Sequence, residues 1–301
     1  MSHIEKVISI IKQKHPHLIE NKPFDLNTTG SANDVMIIDK DGPDPRVFRF
    51  PKEGHKDAHH HILLEQLIMP RLINWVPHIP QYDIIENDPI PYVSYPMIVG
   101  DQLKPPLSTQ VPEDKLSSIS KHVATVLYGI HLFPGSAYFP IELSKSEYFK
   151  FHWKQHYKTI IKYVCPYLEH RQNQWIAWLY ESFLNDDRNF QFQPCFINGD
   201  MKKDHIIIDP KSYQFKGIID LGLKFGDPAM DFGYIRLGES FMYQLLQHYK
   251  GDVNGTFVQR ARFYQFTVPL TGLLIGFTQK DQTYIQISLN QLNHSIQESQ
   301  F

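Results

Sequence analysis

The spacing of apolar and polar residues predicts that the first third of the chain is mixed and that most of the remainder is helical. Apolar residues recur at helical spacing over 3–14 and over 57–73, with Leu64, Leu67, Ile68 and Leu72 expected on the buried face of the second helix. Two β-branched and aromatic runs, 35–38 and 47–50, flank a turn rich in Asp, Gly and Pro and predict an antiparallel pair of strands. A further short strand is expected over 92–98.

The remainder of the chain is predicted to contain helices and one strand–turn–strand unit. Helices are expected over 112–130, 145–164, 169–184 and from about 229 onward. The strands are expected within 194–221, on either side of the turn Lys211-Ser212-Tyr213. Strands and helices that are segregated in this way indicate an α+β fold. We place the boundary between two lobes near residue 98, which gives an N-terminal lobe of 1–98 and a C-terminal lobe of 99–301.

Composition limits the classes of function that fit the chain. Its 301 residues carry a formal net charge of −2, so no strongly basic surface suggests nucleic acid as a partner. The two cysteines, Cys165 and Cys195, are too few for a disulfide framework and have no metal-binding spacing. No apolar run reaches the length of a membrane span, and the first residues do not form a signal peptide. We therefore expect a cytoplasmic monomer that binds neither membrane nor nucleic acid.

Candidate chemistry is concentrated around the strand–turn–strand unit. Asp200 and His205 lie in the polar loop that precedes the first strand, and Asp220 ends the second strand. Phosphoryl transfer uses one carboxylate to orient the attacking hydroxyl, and a second carboxylate with a neutral ligand to hold Mg²⁺ against nucleotide phosphates. The alternative is an ordinary β-hairpin with solvated ends, and for His205 a surface histidine at a turn.

Five segments follow one another along the chain: Thr29–Asp34, Phe48–Lys52, Asn198–His205, Ile219–Gly222 and Gly226–Phe232. Together they make the chain resemble the aminoglycoside phosphotransferase family, which has the protein-kinase-like fold. The similarity covers most of the chain, is greatest to the 2″-phosphotransferases and extends to the macrolide phosphotransferases. It implies a small antiparallel-sheet lobe that binds nucleotide and a larger, mainly helical lobe that binds substrate.

The resemblance also implies roles for single residues. Asp200 would accept a hydrogen bond from the substrate hydroxyl as base or orienter, and His205 and Asp220 would hold Mg²⁺. The nucleotide, ATP or GTP, would be bound by the phosphate-covering loop, by a cation paired with a helix glutamate, and by the hinge between the lobes. These positions are Gly30, Ser31 and Asn33 in the loop, Arg49 with Glu65, and Met97 and Val99 in the hinge.

The chain departs from the family pattern at several of these positions. Arg49 stands where lysine is expected, so a purely structural pairing with Glu65 is about as probable as a contact with phosphate. Ala32 and Asn198 replace the usual glycine and histidine. After Asp220 the chain continues Leu221-Gly222-Leu223-Lys224, and Lys224 either adds positive charge near the phosphates or points to solvent.

Other polar residues are assigned structural roles. Asp227 and Asp231 are expected to hold backbone N–H groups of a loop and of a helix N-terminus. Lys52 lies at an odd offset from Arg49, and we therefore discount it as a phosphate ligand. His59, His60 and His61 are expected at a solvated helix start, because three successive helical side chains point in different directions.

The C-terminal part of the substrate lobe does not have the acidic character that suits a polycation. From Ile235 to Phe301 it carries four acidic and five basic residues among many aromatic ones, most of which are expected in the core. We therefore expect a Mg²⁺-dependent kinase for a hydroxyl group on a neutral or weakly charged small molecule. The alternatives are a nucleotide-binding pseudokinase or scaffold protein of the same fold, and a kinase that acts on a protein hydroxyl. The second is disfavoured because no activation segment is recognisable.

Overall fold

A computed structural model describes most of the chain as two compact units. The first unit comprises Met1–Ile119 with Asp204–Leu223, and the second comprises Ser120–Lys203 with Lys224–Phe301. The first unit therefore extends beyond the predicted boundary near residue 98, because a strand at Asp101–Gln102 pairs with Ile206–Ile208. The lobe assignment itself stays a prediction. The described residues are 2–28, 30, 32–55, 57–87, 89–140 and 145–299.

The first unit contains a five-stranded antiparallel sheet in the order β1-β2-β3-β5-β4. Neighbouring registers pair Val35 with Arg49 and Arg49 with Val93, so Arg49 lies in the central strand. The residues between the first two strands are small, and small residues disfavour regular structure. The strands are β1 Phe24–Asn27, β2 Asn33–Ile38, β3 Arg46–Pro51, β4 Ile84–Glu86 and β5 Tyr92–Pro96.

Helices of the first unit supply apolar residues to the sheet core. Helix α1, His3–Lys14, begins with a capping box between Ser2 and Glu5 and buries Val7 and Ile11. These side chains cluster with Met36, Phe48, Phe50 and Tyr92 of the sheet. Short helix α2, Pro16–Ile19, adds Ile19, helix α3 is Ala58–Leu72, and α4 is Leu107–Gln110.

A second, three-stranded sheet belongs to the same unit. Strands β6 (Asp101–Gln102), β8 (Ile206–Ile208) and β9 (Phe215–Ile218) pair in the order β6-β8-β9. The β8–β9 turn is closed by the Asp209 carboxylate, which accepts hydrogen bonds from the N–H groups of Lys211 and Ser212. This hairpin carries His205 just before one strand and Asp220 just after the other.

The second unit is mainly helical, and helix α5, Glu113–Leu132, runs into it from the first. Strands β7, Cys195–Ile197, and β10, Lys224–Gly226, form a small antiparallel sheet of their own. Stacked aromatic rings occupy the core, with the centroids of Phe183 and Phe263 3.6 Å apart. The further helices are α6 Ser146–Tyr163, α7 His170–Leu184, α8 Ala229–Ile235, α9 Glu239–His248, α10 Phe257–Gln279 and α11 Gln282–Glu298.

The α+β class and the order of the predicted elements are confirmed. One prediction for the second helix is wrong, since Leu67 is 43% exposed whereas Ile62, Glu65 and Met69 are buried. The buried face of α3 therefore includes Glu65, a charged residue that an apolar-periodicity argument places outside. Among the described residues, no helix is both long and apolar enough to cross a membrane.

Candidate active site

Arg49 lies at the centre of a buried polar cluster in the first unit. Its Nη2 atom is 3.2 Å from Glu65 Oε1 of α3 and 2.7 Å from Asp220 Oδ1 at the end of β9. Arg49 is 7% exposed and Glu65 is 1% exposed, whereas the Asp220 side chain is about half exposed. The predicted pairing of Arg49 with Glu65 is present, and a second carboxylate shares the same guanidinium.

Electrostatics of this cluster keep Arg49 charged. Burial acts to lower the pKa of Arg49, but the carboxylates of Glu65 and Asp220 outweigh it and hold that pKa well above its ordinary value. Tyr82 donates its hydroxyl to Glu65 Oε2 at 2.6 Å, and burial together with this carboxylate raises the pKa of Tyr82 far above its usual range. Burial also raises the pKa of Tyr95, which stacks on Tyr82, to about 12. Both phenols are therefore neutral, and the cluster contains one buried cation between two carboxylates.

His61 corrects the expectation of a fully solvated histidine run. His59 and His60 are exposed, but His61 Nδ1 lies 2.8 Å from Glu65 Oε1, one helical turn further along α3. The spacing i, i+4 places both side chains on one face of the helix. Glu65 therefore contacts His61, Tyr82 and Arg49, which fixes its carboxylate in the core.

His205 and Asp220 form the second part of the site in this unit. His205 Nε2 is 3.5 Å from Asp220 Oδ2, so Arg49 and His205 contact different oxygens of one carboxylate. The backbone ties the two positions together, since Ile219 N–H donates to the His205 carbonyl at 2.9 Å. His205 is 7% exposed, which excludes the surface histidine considered from the sequence. Asp220 has a φ of +58°, a left-handed conformation that aspartate tolerates better than most residues.

The predicted phosphate-covering loop lies between β1 and β2. Lys52 Nζ donates to the carbonyls of Thr28 and Gly30, at 2.5 and 2.7 Å. Lys52 therefore holds two carbonyl groups of this loop, and its exclusion as a phosphate ligand stays a prediction. Asn33 is buried at the start of β2, and Ser31 lies outside the described residues.

The predicted hinge residues follow β5. Met97 N–H donates to the Pro45 carbonyl at 2.8 Å, which holds the chain beside the turn before β3. The Met97 side chain is partly buried, and Val99 is 58% exposed. An exposed valine beside a partly buried methionine offers apolar surface, and their contact with a nucleotide base stays a prediction.

Asp200 belongs to the loop after β7 in the second unit. Its carboxylate accepts a hydrogen bond from Lys202 Nζ at 2.9 Å, and its N–H donates to Asn198 Oδ1 at 3.2 Å. The Asp200 side chain is 38% exposed, so its carboxylate is accessible to solvent. Asn198, which replaces the usual histidine, is fully buried and shapes the loop from within.

The buried Asp231 carboxylate holds the backbone of this loop. Its two oxygens accept hydrogen bonds from the N–H groups of Asn198, at 2.9 Å, and Gly199, at 2.7 Å. His131 Nε2 lies 3.0 Å from the same carboxylate, which requires the proton on Nε2 and leaves Nδ1 to accept from the Tyr249 hydroxyl at 2.6 Å. The predicted structural role of Asp231 is confirmed.

Asp227 has the other predicted structural role. It is fully buried, accepts from the Ala229 N–H at the start of α8, and pairs with Arg260 Nε at 2.6 Å. Tyr264 donates to the same carboxylate at 2.7 Å. Asp227 therefore holds the start of α8, whereas Asp231 holds the Asp200 loop, and both carboxylates are buried.

Lys224 is an exposed residue whose side chain lies against the loop before Asp200, and the positive charge that it would add near the phosphates stays a prediction. Its Nζ donates to the Gly199 carbonyl at 2.9 Å, and its stem packs on Gly199 so closely that a Cβ added there would lie 2.6–2.9 Å from it. Gly199 has a φ of +71°, which a side chain would disfavour in any case. The lysine thus braces the residue directly before Asp200.

The structure brings together Arg49, Glu65, His205 and Asp220 in one unit and places Asp200 in the other. The approach of Asp200 to the His205–Asp220 pair stays a prediction. Sequence reasoning missed the contacts of Tyr82, His131 and Lys224, which join elements far apart in the chain.

Several solved structures share this fold, and their similarity extends over almost the whole chain. A GDP and kanamycin complex of the aminoglycoside 2″-phosphotransferase IIIa is 23% identical, with a TM-score of 0.84 over 97% of this chain and 99% of that one. A macrolide 2′-phosphotransferase of type I is 19% identical, with a TM-score of 0.70 over 97% and 98%. The macrolide 2′-phosphotransferase MphH from Brachybacterium faecium is 14% identical, with a TM-score of 0.72 over 96% and 98%.

These similarities confirm the predicted resemblance at the level of the fold. No protein-family model matches the sequence, and no curated protein does. The neighbours are antibiotic phosphotransferases, some of them solved with GDP, ATP or ADP. At these identities the fold is retained while most side chains differ, so the function must be argued from the residues present.

Proposed function

We propose that this protein is a phosphotransferase that moves the γ-phosphate of ATP or GTP to a hydroxyl group of a small molecule. The observation that carries the proposal is the Glu65–Arg49–Asp220–His205 cluster. It holds a half-exposed carboxylate between a buried cation and a buried imidazole, each of which contacts one of the carboxylate oxygens. The half-exposed carboxylate and the buried imidazole offer donor atoms to a metal, and the buried cation suits phosphate oxygens, which together are the groups that a nucleotide–metal complex needs.

On the nucleotide side, Arg49 would contact the phosphates. Glu65 and Asp220 position its guanidinium, and a buried fork of N–H donors suits phosphate oxygens. Gly30, Ser31 and Asn33 would cover the phosphates from the loop between β1 and β2, which Lys52 ties to β3. Met97 and Val99 would contact the nucleotide base.

The donor atoms of His205 and Asp220 are compatible with Mg²⁺. Adjacent ligands at about 2.1 Å from an octahedral ion lie about 3 Å apart, close to the 3.5 Å between His205 Nε2 and Asp220 Oδ2. Mg²⁺ bound there would neutralise charge on the nucleotide phosphates. Arg49, on the other oxygen, keeps the Asp220 carboxylate oriented toward His205.

Asp200 would act on the acceptor. A carboxylate that is 38% exposed can accept a hydrogen bond from the acceptor hydroxyl and receive its proton as the new P–O bond forms and the bond to the leaving nucleoside diphosphate breaks. Lys202, which now pairs with Asp200, would have to yield to that hydroxyl. Asp200 is five residues before His205, so we propose that it faces the metal and nucleotide in the working enzyme.

The acceptor is proposed to be neutral or weakly charged. The residues from 235 onward supply four carboxylates against five cations, and one of the acids, Glu239, is paired with Arg262. A polycation gains most from a surplus of carboxylates, which this segment lacks. The two free cysteines agree with a reducing cytoplasm, where we place the enzyme as a monomer.

The competing hypothesis is a nucleotide-binding pseudokinase or scaffold protein. The test measures phosphate transfer from γ-labelled ATP and GTP to a panel of hydroxylated compounds, with the wild type, Asp200→Ala and the matched control Asp252→Ala, because Asp252 is exposed and far along the chain from the proposed site residues. The enzyme hypothesis predicts equal transfer rates for the wild type and the control, and a rate at least a hundredfold lower for Asp200→Ala. Nucleotide binding without transfer by any of the three proteins would establish the pseudokinase instead.

A further inference from the structure

The side of helix α6 that points away from the core of the second unit contains none of the residues assigned so far. The core side of this helix is well defined, since Phe149, Trp153 and Ile160 are buried there. Trp153 packs edge-on against Phe263 of α10, with ring centroids 5.0 Å apart. These buried residues recur at helical spacing, so they fix which side of α6 faces outward. A helix of this kind is expected to be polar on its outward side.

Two large apolar side chains lie on the outward side of α6 instead. Phe151 is 61% exposed and Ile161 is 48% exposed. Spacings of three, four and seven residues place three exposed lysines on the same side of the helix, namely Lys154, Lys158 and Lys162. We call these five residues the α6 outer face. A single exposed apolar residue is common on a protein surface, but here two of them share one helical side with a row of lysines.

Neighbouring acids do not neutralise the charge of the α6 outer face. Helix α6 contains four lysines and one acidic residue, Glu147, which gives the helix a formal charge of +3 in a chain whose net charge is −2. Lys150 is paired with Asp187. Among the described residues, the three lysines of the outer face have no carboxylate within ion-pair distance. Like charges four residues apart destabilise a helix, so the stability of α6 does not explain why its lysines are stacked in this way.

Lysines beside exposed apolar side chains are typical of a helix that lies on an anionic lipid surface. The ammonium groups bind the phosphates of lipid headgroups, while phenylalanine and isoleucine side chains enter the boundary between headgroups and acyl chains. With its 18 residues, α6 is about 27 Å long. A helix of this length can contact several lipids at once, so the attractions of its lysines add up.

A protein or a nucleic acid fits the α6 outer face less well. Protein–protein interfaces are depleted of lysine relative to the rest of the surface. Single-stranded nucleic acids bind in basic grooves lined by aromatic side chains, whereas the α6 outer face is the outside of a single helix. Ile161, moreover, can neither stack on a base nor bind a phosphate. The lack of a membrane span and of a signal peptide does not bear on this face, because a helix at the lipid surface needs neither.

We propose that the α6 outer face binds the headgroups of anionic phospholipids and holds the protein at a membrane surface. The three lysines supply the electrostatic attraction, and Phe151 and Ile161 enter the headgroup layer. Each lysine near such a surface contributes about fivefold to binding, so the three together contribute about a hundredfold. Lipid binding requires no phosphate transfer, so it can be confirmed or refuted independently of the proposed function.

The test is co-sedimentation of the protein with two kinds of vesicle, one of phosphatidylcholine alone and one of equal parts phosphatidylcholine and phosphatidylglycerol. We expect the wild type to bind the anionic vesicles only. Phe151→Ser should weaken this binding about tenfold, because less apolar surface enters the lipid. A triple variant should weaken it about a hundredfold; its substitutions are Lys154→Gln, Lys158→Gln and Lys162→Gln. All four residues are exposed, so both variants should melt no lower than the wild type.

The matched control is a second triple variant with the same change in net charge. It replaces three exposed lysines outside α6 by glutamine, namely Lys6, Lys40 and Lys115. The control should bind the anionic vesicles as tightly as the wild type. A wild type that binds both kinds of vesicle equally, or a control that loses as much affinity as the α6 triple variant, would overturn the proposal. Tighter binding to a fluorescein-labelled single-stranded oligonucleotide than to the vesicles, lost in the α6 triple variant, would assign the face to nucleic acid and would overturn it as well.

Discussion

Replacing Asp231 by asparagine tests whether the Asp200 loop is held by one buried carboxylate. The carboxylate accepts three hydrogen bonds, from the N–H groups of Asn198 and Gly199 and from His131. Asparagine has nearly the same shape but only one acceptor oxygen, so its NH₂ group must face a backbone N–H donor. Hydrogen bonds to charged groups contribute roughly 1.5–3 kcal/mol each, and a buried donor without an acceptor costs about 1–3 kcal/mol. We therefore expect Asp231→Asn to lower the free energy of unfolding by about 3–5 kcal/mol.

The assay is urea unfolding followed by intrinsic tryptophan fluorescence, with phosphate transfer measured on the same preparations. Asp209→Asn is the matched control, because Asp209 also accepts two backbone N–H groups but does so at the surface. Its effect on stability should be much smaller. In Asp231→Asn, kcat should fall more than nucleotide affinity. The displaced loop carries Asp200, whereas Arg49, the proposed phosphate ligand, lies in β3 and is unaffected. An Asp231→Asn protein that unfolds at the same urea concentration as the wild type would refute this reasoning.

Three further predictions each concern one residue. Lys224→Ala removes the hydrogen bond to the Gly199 carbonyl and should lower kcat about tenfold, whereas Lys224→Arg should retain most activity. Equal losses of kcat in the two variants, measured in steady-state assays, would contradict the role of Lys224 in holding the loop. Burial lowers the pKa of His156 to about 4 in the folded protein, whereas in the unfolded chain the imidazole binds a proton near pH 6.5. The stability that is present above pH 6.5 should therefore be lost as the pH falls toward 4. The loss is about 3 kcal/mol, and urea unfolding across this range should show a flatter pH dependence in His156→Gln. Arg49→Ala leaves the buried Glu65 without its cation and should lower the free energy of unfolding by about 3–5 kcal/mol. It should also abolish the rise in melting temperature that nucleotide is expected to cause. Unchanged nucleotide binding would show that Arg49 does not contact the phosphates.

Much of the fold follows from local patterns in the sequence. The helix over 3–14 is fixed by its apolar spacing and by the capping box of Ser2 and Glu5, both of which are local. The β8–β9 hairpin follows from β-branched runs on either side of a turn that the Asp209 carboxylate closes. His205 and Asp220 could be predicted as neighbours because a hairpin brings the ends of its strands together.

The contacts that sequence reasoning missed are long-range. Lys224 reaches Gly199 because β10 pairs with β7, and a strand of three residues gives almost no periodic signal. His131 reaches Asp231 across 100 residues of chain, and Tyr82 reaches Glu65 from a segment without regular structure. The burial of Glu65 also defeats hydropathy, because it depends on partners that only the tertiary fold supplies.

The most direct test of the central claim asks whether His205 binds the divalent ion of the nucleotide complex. Mn²⁺ replaces Mg²⁺ as a paramagnetic probe, with a non-hydrolysable ATP or GTP analogue and protein labelled with ¹⁵N-histidine. Electron–nuclear double resonance should detect a ¹⁵N coupling to Mn²⁺ that disappears in His205→Asn, and Asp220→Ala should lose bound Mn²⁺ altogether. A Mn²⁺–nucleotide complex of the wild type without a histidine coupling would contradict the account. Mn²⁺ that stays bound to the Asp220→Ala protein would contradict it as well.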